Sequence, residues 1–119
     1  MALSEMLVVE DSIVSRAMEY IRSNSMELIQ VDDVARAVCI SRSTLDKRFS
    51  RAFGIGVQKE IRRQRARQIA KMLLETDMSI TQIALEMNMT GVENIGRYFK
   101  QEMGLSPLQY RKAYRCVTV

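Results

Sequence analysis

An internal repeat constrains the fold of this chain more than any other feature. Residues 31–54, VDDVARAVCISRSTLDKRFSRAFG, share an apolar pattern with residues 81–104, TQIALEMNMTGVENIGRYFKQEMG. The recurring residues are Val34-Ala35 with Ile83-Ala84, Ile40 with Met89, Leu45 with Ile95, Phe49 with Phe99, and Gly54 with Gly104. The offset grows by one residue at the turn, so the second copy has one extra residue there. Two copies are too few for a solenoid.

Each copy has the pattern of a helix-turn-helix. The first predicts a short helix over 31–38 and a longer one that Ser41 caps and Gly54 ends in a left-handed conformation. The second predicts helices over 80–87, capped by Ser79, and over 91–103. Apolar residues at helical spacing predict the buried faces: Val34, Ala35, Val38, Leu45, Phe49 and Phe53, then Ile83, Ala84, Met87, Ile95, Phe99 and Met103. A helix-turn-helix places its second helix in the DNA major groove.

Composition allows a core and a nucleic-acid partner. The 119 residues correspond to one domain or two very small ones. Hydrophobic residues make up 47%, but there is no Trp, so aliphatic side chains and the nine Met must form the core. A net charge of +4 fits a nucleic-acid partner and also fits many ordinary soluble proteins.

The sequence offers no chemistry for catalysis or for a cofactor. It has no His, no metal-ligand cluster, no glycine-rich phosphate loop and no paired nucleophile and base, so an enzyme is not expected. Cys39 and Cys116 lack the spacing of a zinc site or a disulfide framework. Cys39 is expected to be a small core residue in the first turn, and Asn88 in the second turn tolerates positive φ. Without an apolar run of about 18 residues or a secretory signal, we expect a cytoplasmic chain with no membrane contact.

The remaining segments complete an all-α fold of about seven helices. Residues 1–10 are expected to be a linker or the stub of a missing N-terminal domain. The first helix-turn-helix subdomain spans 11–56 and begins with a helix, capped by Asp11-Ser12, whose buried residues are Ile13, Ala17, Tyr20 and Ile21. A linker helix over 57–75 carries Arg65 on its inward side, between Ile61 and Ile69, where we expect a structural salt bridge.

The second subdomain spans 76–113 and ends in a short helix that Ser106-Pro107 begins. Leu108 and Tyr110 are expected to pack back on this subdomain, while Arg111 and Lys112 are expected to be exposed. The tail over 114–119 is expected to be frayed.

The outward faces of the two longer helices carry the candidate DNA contacts. On the first helix, the base-contact candidates are Ser43, Asp46 and Lys47, and the phosphate candidates are Arg42 and Arg48. On the second, the base-contact candidates are Val92, Glu93, Gly96 and Arg97, and Lys100 is a phosphate candidate. Lys and Arg donate to guanine, Asp and Glu accept from cytosine, and Val can touch a thymine methyl. A glycine inside a helix costs ~1 kcal/mol relative to alanine, which close approach to DNA would explain at position 96.

Two alternatives remain for these faces. Either face could be an ordinary solvated surface of mixed charge, and the second could grip phosphate more than it reads bases. The 19 residues of the linker helix correspond to roughly 28 Å, which suits two recognition helices about one DNA turn, ~34 Å, apart.

The tandem units resemble the DNA-binding domain of AraC/XylS-family transcriptional regulators. The resemblance covers roughly 11–112 and is carried by LLETDMSITQIALEMNM (73–89) and GRYFKQEMGLSPLQYRK (96–112). It implies a bacterial transcription regulator that binds double-stranded DNA, with RNA polymerase as a further candidate partner. The family usually has Gly-Phe in place of Asn88-Met89, and polar or aromatic residues in place of Gly91, Val92 and Ile95.

A narrower resemblance links the chain to the C-terminal part of xylose-operon regulators. It is carried by Leu7–Asp11, Ala17–Arg22, Ile40–Leu45 and Lys47–Phe49. It implies a C-terminal fragment whose effector, for example a sugar, acts only through a missing domain. Family members that consist of the DNA-binding domain alone have a similar length. The competing function is a helical protein-interaction module of the same fold without base readout, and single-stranded RNA suits two spaced recognition helices less well.

Overall fold

The computed structural model describes residues 12–115. This part of the chain consists of α-helices joined by short loops and contains no strand. We number the helices in chain order. They are α1 (Ser12–Ser23), α2 (Val31–Ala37), α3 (Arg42–Phe53), α4 (Val57–Glu75), α5 (Ile80–Glu86), α6 (Val92–Met103) and α7 (Pro107–Tyr114). The all-α prediction is confirmed. Residues 1–10, Asp11 and Cys116 lie outside the described residues.

Local signals explain where most of these helices begin and end. Ser41 accepts a hydrogen bond from the Thr44 amide at 3.2 Å, and Ser79 and Ser106 cap α5 and α7 in the same way. Each cap satisfies an amide that the first turn of a helix leaves without a partner. Gly54 and Gly104 end α3 and α6 with φ of 76° and 86°, a conformation that costs glycine little. The predicted caps at Ser41, Ser79 and Ser106 and the predicted stops at Gly54 and Gly104 are therefore confirmed, while the cap predicted at Asp11-Ser12 is not tested because Asp11 lies outside the described residues.

The described residues form two compact units, each with its own core. The first unit comprises residues 12–25 and 29–61 and contains α1 to α3 and the beginning of α4. Its core is aliphatic except for one Phe: Val14, Ala17, Met18, Ile21, Val31, Val34, Ala35, Val38, Leu45, Phe49, Val57 and Ile61. The first helix-turn-helix thus rests on α1, which buries Val14 and Met18 more completely than the predicted Ile13 and Tyr20.

The second unit comprises residues 26–28 and 62–115. Its core is formed by Ile69, Ala70, Leu73, Ile83, Ala84, Met87, Ile95 and Phe99. Five methionines pack around this core as partly buried residues, together with Ile80, Tyr98 and Tyr110. Flexible thioether side chains fill irregular space, which suits a core without Trp.

The prediction that Cys39 is a core residue is wrong, because its side chain is exposed. Cys39 has φ of 59° and occupies the turn between α2 and α3, where the apolar residues on either side, Val38 and Ile40, turn inward instead. Asn88 has φ of 58° at the corresponding place in the second unit, as predicted. The two turns therefore share one backbone conformation.

The C-terminal segment differs from its prediction at Leu108, Arg111, Tyr114 and Arg115. Leu108 is 66% exposed instead of packed, whereas Tyr110 does pack, with its ring 5.2 Å from that of Phe99. Tyr114 belongs to α7 and contacts Tyr110, and Arg115 forms an ion pair with Asp77, so these two residues are not frayed. The ion pair lowers the pKa of Asp77.

Arg111 was predicted to be exposed but is partly buried and binds three main-chain carbonyl groups. Its Nε donates to Leu73 at 3.0 Å, and its Nη2 donates to Thr76 at 3.2 Å and Met78 at 2.7 Å. The last carbonyls of a helix lack partners within the helix, and a guanidinium can satisfy them. Arg111 thereby fastens the end of α4 and the start of the next loop to α7.

Candidate nucleic-acid interface

Helix α3, the first recognition helix, has its rotation set by two buried residues. Leu45 and Phe49 are fully buried, so the opposite face turns to solvent. Ser43, Asp46 and Lys47 are all exposed on that face, as predicted. Helical spacing therefore brings the first unit's three base-contact candidates together.

The N-terminal end of α3 borders an open groove of about 560 Å³. The groove is lined by Val31, Ser41, Arg42, Ser43, Asp46 and Gln58. Arg42 lies 3.6 Å from Asp32 in a solvent-exposed ion pair, which leaves the guanidinium accessible to a phosphate. Arg48, the other phosphate candidate of this helix, is partly buried.

Asp46 has a contact that its sequence position does not suggest. Its Oδ1 accepts a hydrogen bond from the main-chain amide of Val57, the first residue of α4, at 3.1 Å. The carboxylate therefore caps α4 from outside that helix. Eleven residues separate the two, a distance that no local capping motif covers.

Helix α6, the second recognition helix, is oriented in the same way. Ile95 and Phe99 are fully buried, and the base-contact candidates Val92, Glu93 and Arg97 are exposed, as is the phosphate candidate Lys100. Val92 is 47% exposed, which is unusual for a β-branched apolar residue at the start of a helix. Its side chain is available to a partner such as a thymine methyl.

Gly96, the remaining candidate on α6, is not needed for packing within the described residues. A Cβ built at this position meets nothing within 4 Å. Its small size therefore has no explanation among residues 12–115, which agrees with the idea that something outside the chain approaches the helix there.

The start of α6 also carries contacts that sequence reasoning missed. The Asn94 amide nitrogen donates to the Thr90 side-chain oxygen at 3.0 Å and to the Thr90 carbonyl. These bonds fasten the first turn of α6 to the residue before Gly91, whose φ is 78°. The four-residue spacing of Thr90 and Asn94 is the only sequence signal that could have indicated this clasp.

The buried side chain of Arg65 contacts both helices of the second helix-turn-helix. Its side chain is 4% exposed and donates to the main-chain carbonyls of Glu27 and Met87, and it is hydrogen-bonded to the Tyr98 side chain. These carbonyl oxygens compensate the buried cation, and the salt bridge expected for Arg65 stays a prediction. Burial lowers the pKa of Arg65. Because Met87 ends α5 and Tyr98 lies on α6, this one residue contacts both helices of the motif.

Tyr98 fastens α6 to α4 by a second route. Its hydroxyl donates to the Arg62 carbonyl at 2.9 Å, and the Arg62 guanidinium lies 4.5 Å from the centre of its ring. Arg62 also pairs with Glu102 at 2.9 Å. Desolvation raises the pKa of Tyr98 to about 12 despite the two nearby guanidinium groups.

Five basic residues differ in whether they have partners within the described part of the chain. Arg62, Arg65 and Arg111 bind carbonyl or carboxylate groups inside the second unit. Lys47 and Arg97 are exposed on the two recognition helices, and within residues 12–115 neither forms a hydrogen bond or ion pair. These two cations are therefore available to an anionic or polar partner.

Residues 12–115 contain no group of three or more His, Cys, Asp or Glu side chains that could hold a metal ion. None of the helices α1 to α7 combines the length and the apolar character needed to cross a membrane.

The arrangement defines a class of protein, a DNA-binding domain with two helix-turn-helix motifs. A family model described as "Helix-turn-helix domain" matches residues 34–113, which is more than half of the chain. The chain belongs to this helix-turn-helix family, that of the AraC/XylS-type transcriptional regulators.

Individual relatives agree with this assignment. The chain is 33% identical over 101 residues to the xylose operon regulatory protein of Escherichia coli (strain K12), covering 85% of this chain and 26% of that protein. The C-terminal domain of AraT, a response regulator from Geobacillus stearothermophilus, superposes with a TM-score of 0.81 at 27% identity, covering 89% and 88% of the two chains. The DNA-binding domain of the global transcriptional factor AdpA, solved in complex with a target DNA, gives a TM-score of 0.77 at 25% identity, covering 86% and 92%.

The chain spans about a quarter of the length of the xylose operon regulatory protein that it matches. The resemblance expected from the motifs is confirmed, both for the AraC/XylS family and for the xylose-operon regulators.

Proposed function

We propose that this domain reads double-stranded DNA with α3 and α6 inserted into successive major grooves, and that it regulates transcription in the cytoplasm. The observation that carries the proposal is the state of Lys47 and Arg97. They occupy equivalent positions of the two units, are exposed, and have no partner among residues 12–115. A cation at this point of a recognition helix is suited to guanine.

The proposed contacts follow from the two outward faces. The base contacts are Ser43, Lys47, Val92, Glu93, Gly96 and Arg97, and the phosphate contacts are Arg42, Arg48 and Lys100. Asp46, the remaining base-contact candidate of the sequence, is bound to the amide of Val57. Phosphate contacts supply affinity without sequence information, so binding should weaken steeply as salt rises. The 19 residues of α4 correspond to about 28 Å, which supports the use of both helices on one duplex.

The proposal extends to the protein of which this domain is a part. The likeness to the xylose operon regulatory protein supports an effector, such as a sugar, that acts through a separate domain. RNA polymerase is a further candidate partner of that protein. The proposal includes no enzymatic activity and no cofactor.

Selection of bound sequences from a random duplex DNA pool at physiological salt tests this function. We expect two enriched patches about one helical turn apart, ~34 Å along the duplex. One patch alone would show that the second unit acts as a phosphate clamp. No enrichment, with binding that vanishes at moderate salt, would overturn the proposal in favour of a protein-interaction module.

A further inference from the structure

The helix that follows each recognition helix is capped differently in the two units. Residues after the turn correspond at a separation of 50 positions, as Phe49 and Phe99 do. In both units a recognition helix is followed, after a glycine in the left-handed conformation, by another helix: α4 in the first and α7 in the second. The first turn of each following helix needs acceptors for its free amides.

In the second unit the following helix caps itself. Ser106 accepts from the Gln109 amide at 3.2 Å, and the Gln109 side chain accepts from the Ser106 amide at 3.1 Å. Pro107, the first residue of α7, has no amide hydrogen to satisfy. The recognition helix α6 is not required for this cap, and its residue at the position of Asp46 is Gly96.

The first unit has neither the serine cap nor the proline at the start of the following helix. Gly56 stands where Ser106 stands in the second unit and has no side chain to act as a cap. Val57 stands where Pro107 stands and does have an amide hydrogen, which the Asp46 carboxylate accepts at 3.1 Å. A Cβ built on Gly56 would lie 3.2 Å from the same Asp46 oxygen, so Gly56 leaves room for the carboxylate.

We infer that Asp46 is a positioning residue, which joins the first recognition helix to α4 through the amide of Val57 and so sets the orientation in which Ser43 and Lys47 meet DNA. The inference rests on the proposed function and deepens it. Asp46 lies between the two candidate readers on the exposed face, one residue before Lys47. A carboxylate that is held by α4 cannot move toward a base without releasing the cap.

The charge of Asp46 agrees with this role. A carboxylate at the start of a helix interacts favourably with the helix dipole, whereas a carboxylate facing DNA is repelled by phosphates. Asparagine at position 46 would keep an acceptor for the Val57 amide and lose the charge. Alanine would lose both, so the two substitutions separate the cap from the charge.

The test compares four variants of this chain on the duplex chosen by selection and on random duplex DNA. They are Asp46→Asn, Asp46→Ala, Gly56→Ser and the double variant Asp46→Ala with Gly56→Ser. The last recreates the serine half of the second unit's cap, whereas Lys59, which stands where Gln109 stands, cannot accept from the serine amide. The serine fits because the crowding oxygen of Asp46 is gone.

We expect Asp46→Asn to keep the base preference and the ratio of selected to random binding. Asp46→Ala should lower that ratio about fivefold, the factor that corresponds to a typical lost helix cap. The double variant should not recover the ratio, because a serine cap on α4 does not join that helix to α3. Gly56→Ser alone should resemble Asp46→Ala because the two side chains compete for space. None of the four should change which base is preferred at any position.

A direct base contact predicts a different pattern. Both Asp46→Asn and Asp46→Ala would then change the preference at one position of the first patch, and serine at position 56 would not restore it. That result would overturn the inference.

Thermal unfolding of the same four variants keeps the test independent of the proposed function. If the unsubstituted chain selects no sequence, the proposed function fails. The cap is still tested, because Asp46→Ala should lower the melting temperature and the added serine should restore it. Equal melting temperatures for Asp46→Asn and Asp46→Ala would overturn the role of Asp46 in either case.

Discussion

The turns of the two helix-turn-helix units have nearly the same backbone and different side chains. Cys39 and Asn88 have φ of 59° and 58°, and in both units the next amide bonds back to the first helix, from Ile40 to Ala35 and from Met89 to Ala84. Cys39 is exposed, whereas the Asn88 amide donates to the Met26 carbonyl at 3.3 Å. The closing bond and the inward apolar residue define the turn, and the side chain at its tip is free to serve another purpose.

The recognition helices show the same contrast along their length. Their buried residues, Leu45 with Ile95 and Phe49 with Phe99, are similar in size, while the exposed positions change in chemistry. The most pronounced change, from Asp46 to Gly96, accompanies the move of the next helix's cap to Ser106. A repeated fold can therefore keep its packing and still present two different faces to a partner.

The largest expected effect concerns Arg65, which has no equivalent in the core of the first unit. Arg65→Met should destabilise the second unit by roughly 3 kcal/mol, because the buried carbonyl of Met87 and the partly buried carbonyl of Glu27 lose a charged donor. Hydrogen exchange of α5 and α6 should accelerate, while that of α2 and α3 changes less. The exposed neighbour Arg67 on the same helix provides the control. Equal stability of Arg65→Met and Arg67→Met would show that the carbonyl contacts of Arg65 do not stabilise the second unit.

A second comparison sets Arg97 against Lys47. Arg97→Ala should cost ~1–3 kcal/mol on the selected duplex and little on random DNA. Lys47→Ala should cost less, because an ammonium contacts a base as a point charge whereas a guanidinium donates two parallel hydrogen bonds. Titrations at one fixed salt concentration measure both. An equal loss for Arg97→Ala on the two duplexes would reassign that residue to phosphate.

Substitution of Gly96 should change folding stability and DNA binding in opposite directions. Gly96→Ala should raise the free energy of unfolding by about 1 kcal/mol, because alanine favours the helix and its Cβ meets no atom within 4 Å. The same substitution should weaken binding to the selected duplex. Gly54→Ala is the matched control, since φ of 76° strains an added side chain there, and it should lower stability. Unchanged DNA binding by Gly96→Ala would remove the argument for close approach at α6.

The smallest effect is the dependence of stability on pH at Tyr98. Its pKa is raised to about 12, above the value near 10 of an unfolded chain, so the folded state favours the neutral phenol. This stabilisation is complete below pH 10 and is lost as the pH rises toward 12. The loss should be under about 1 kcal/mol, less than full linkage gives, because the ring is partly exposed to solvent. Urea unfolding at several pH values measures the free energy of unfolding as a function of pH. Between pH 10 and 12 this free energy should fall less steeply for Tyr98→Phe than for the unsubstituted chain. An equally steep fall would contradict the raised pKa of Tyr98.

Much of the fold was predictable because its signals are local. The predicted bounds of α4, 57–75, are those of the structure, and Ser41, Ser79 and Ser106 cap the helices that they precede. Each of these features depends on a few consecutive residues, whose backbone conformation is set by side chains within one turn. The outward faces of α3 and α6 followed from the same periodicity, since burying Leu45 or Ile95 determines which residues point away.

The errors concern contacts between distant parts of the chain. Arg111 was expected in solvent and instead binds Leu73, which is 38 residues away. Leu108 was expected to pack, but the single turn of α7 that faces the core is filled by Pro107 and Tyr110. Periodicity shows that a residue lies on one side of its helix, but it does not show which carbonyl or which ring lies opposite.

Two helix-turn-helix units, most of their caps and stops, and the residues that each recognition helix exposes could be read from the amino-acid sequence, because these features depend on neighbouring residues and on helical period. The partners of the polar side chains depend instead on how separate helices pack. The tertiary structure gave Arg65 two carbonyl partners, placed Arg111 at the end of α4 and joined Asp46 to Val57. A buried or tethered charge takes whatever acceptor or donor the packing of separate helices brings within hydrogen-bond distance, and that distance is set by the whole fold.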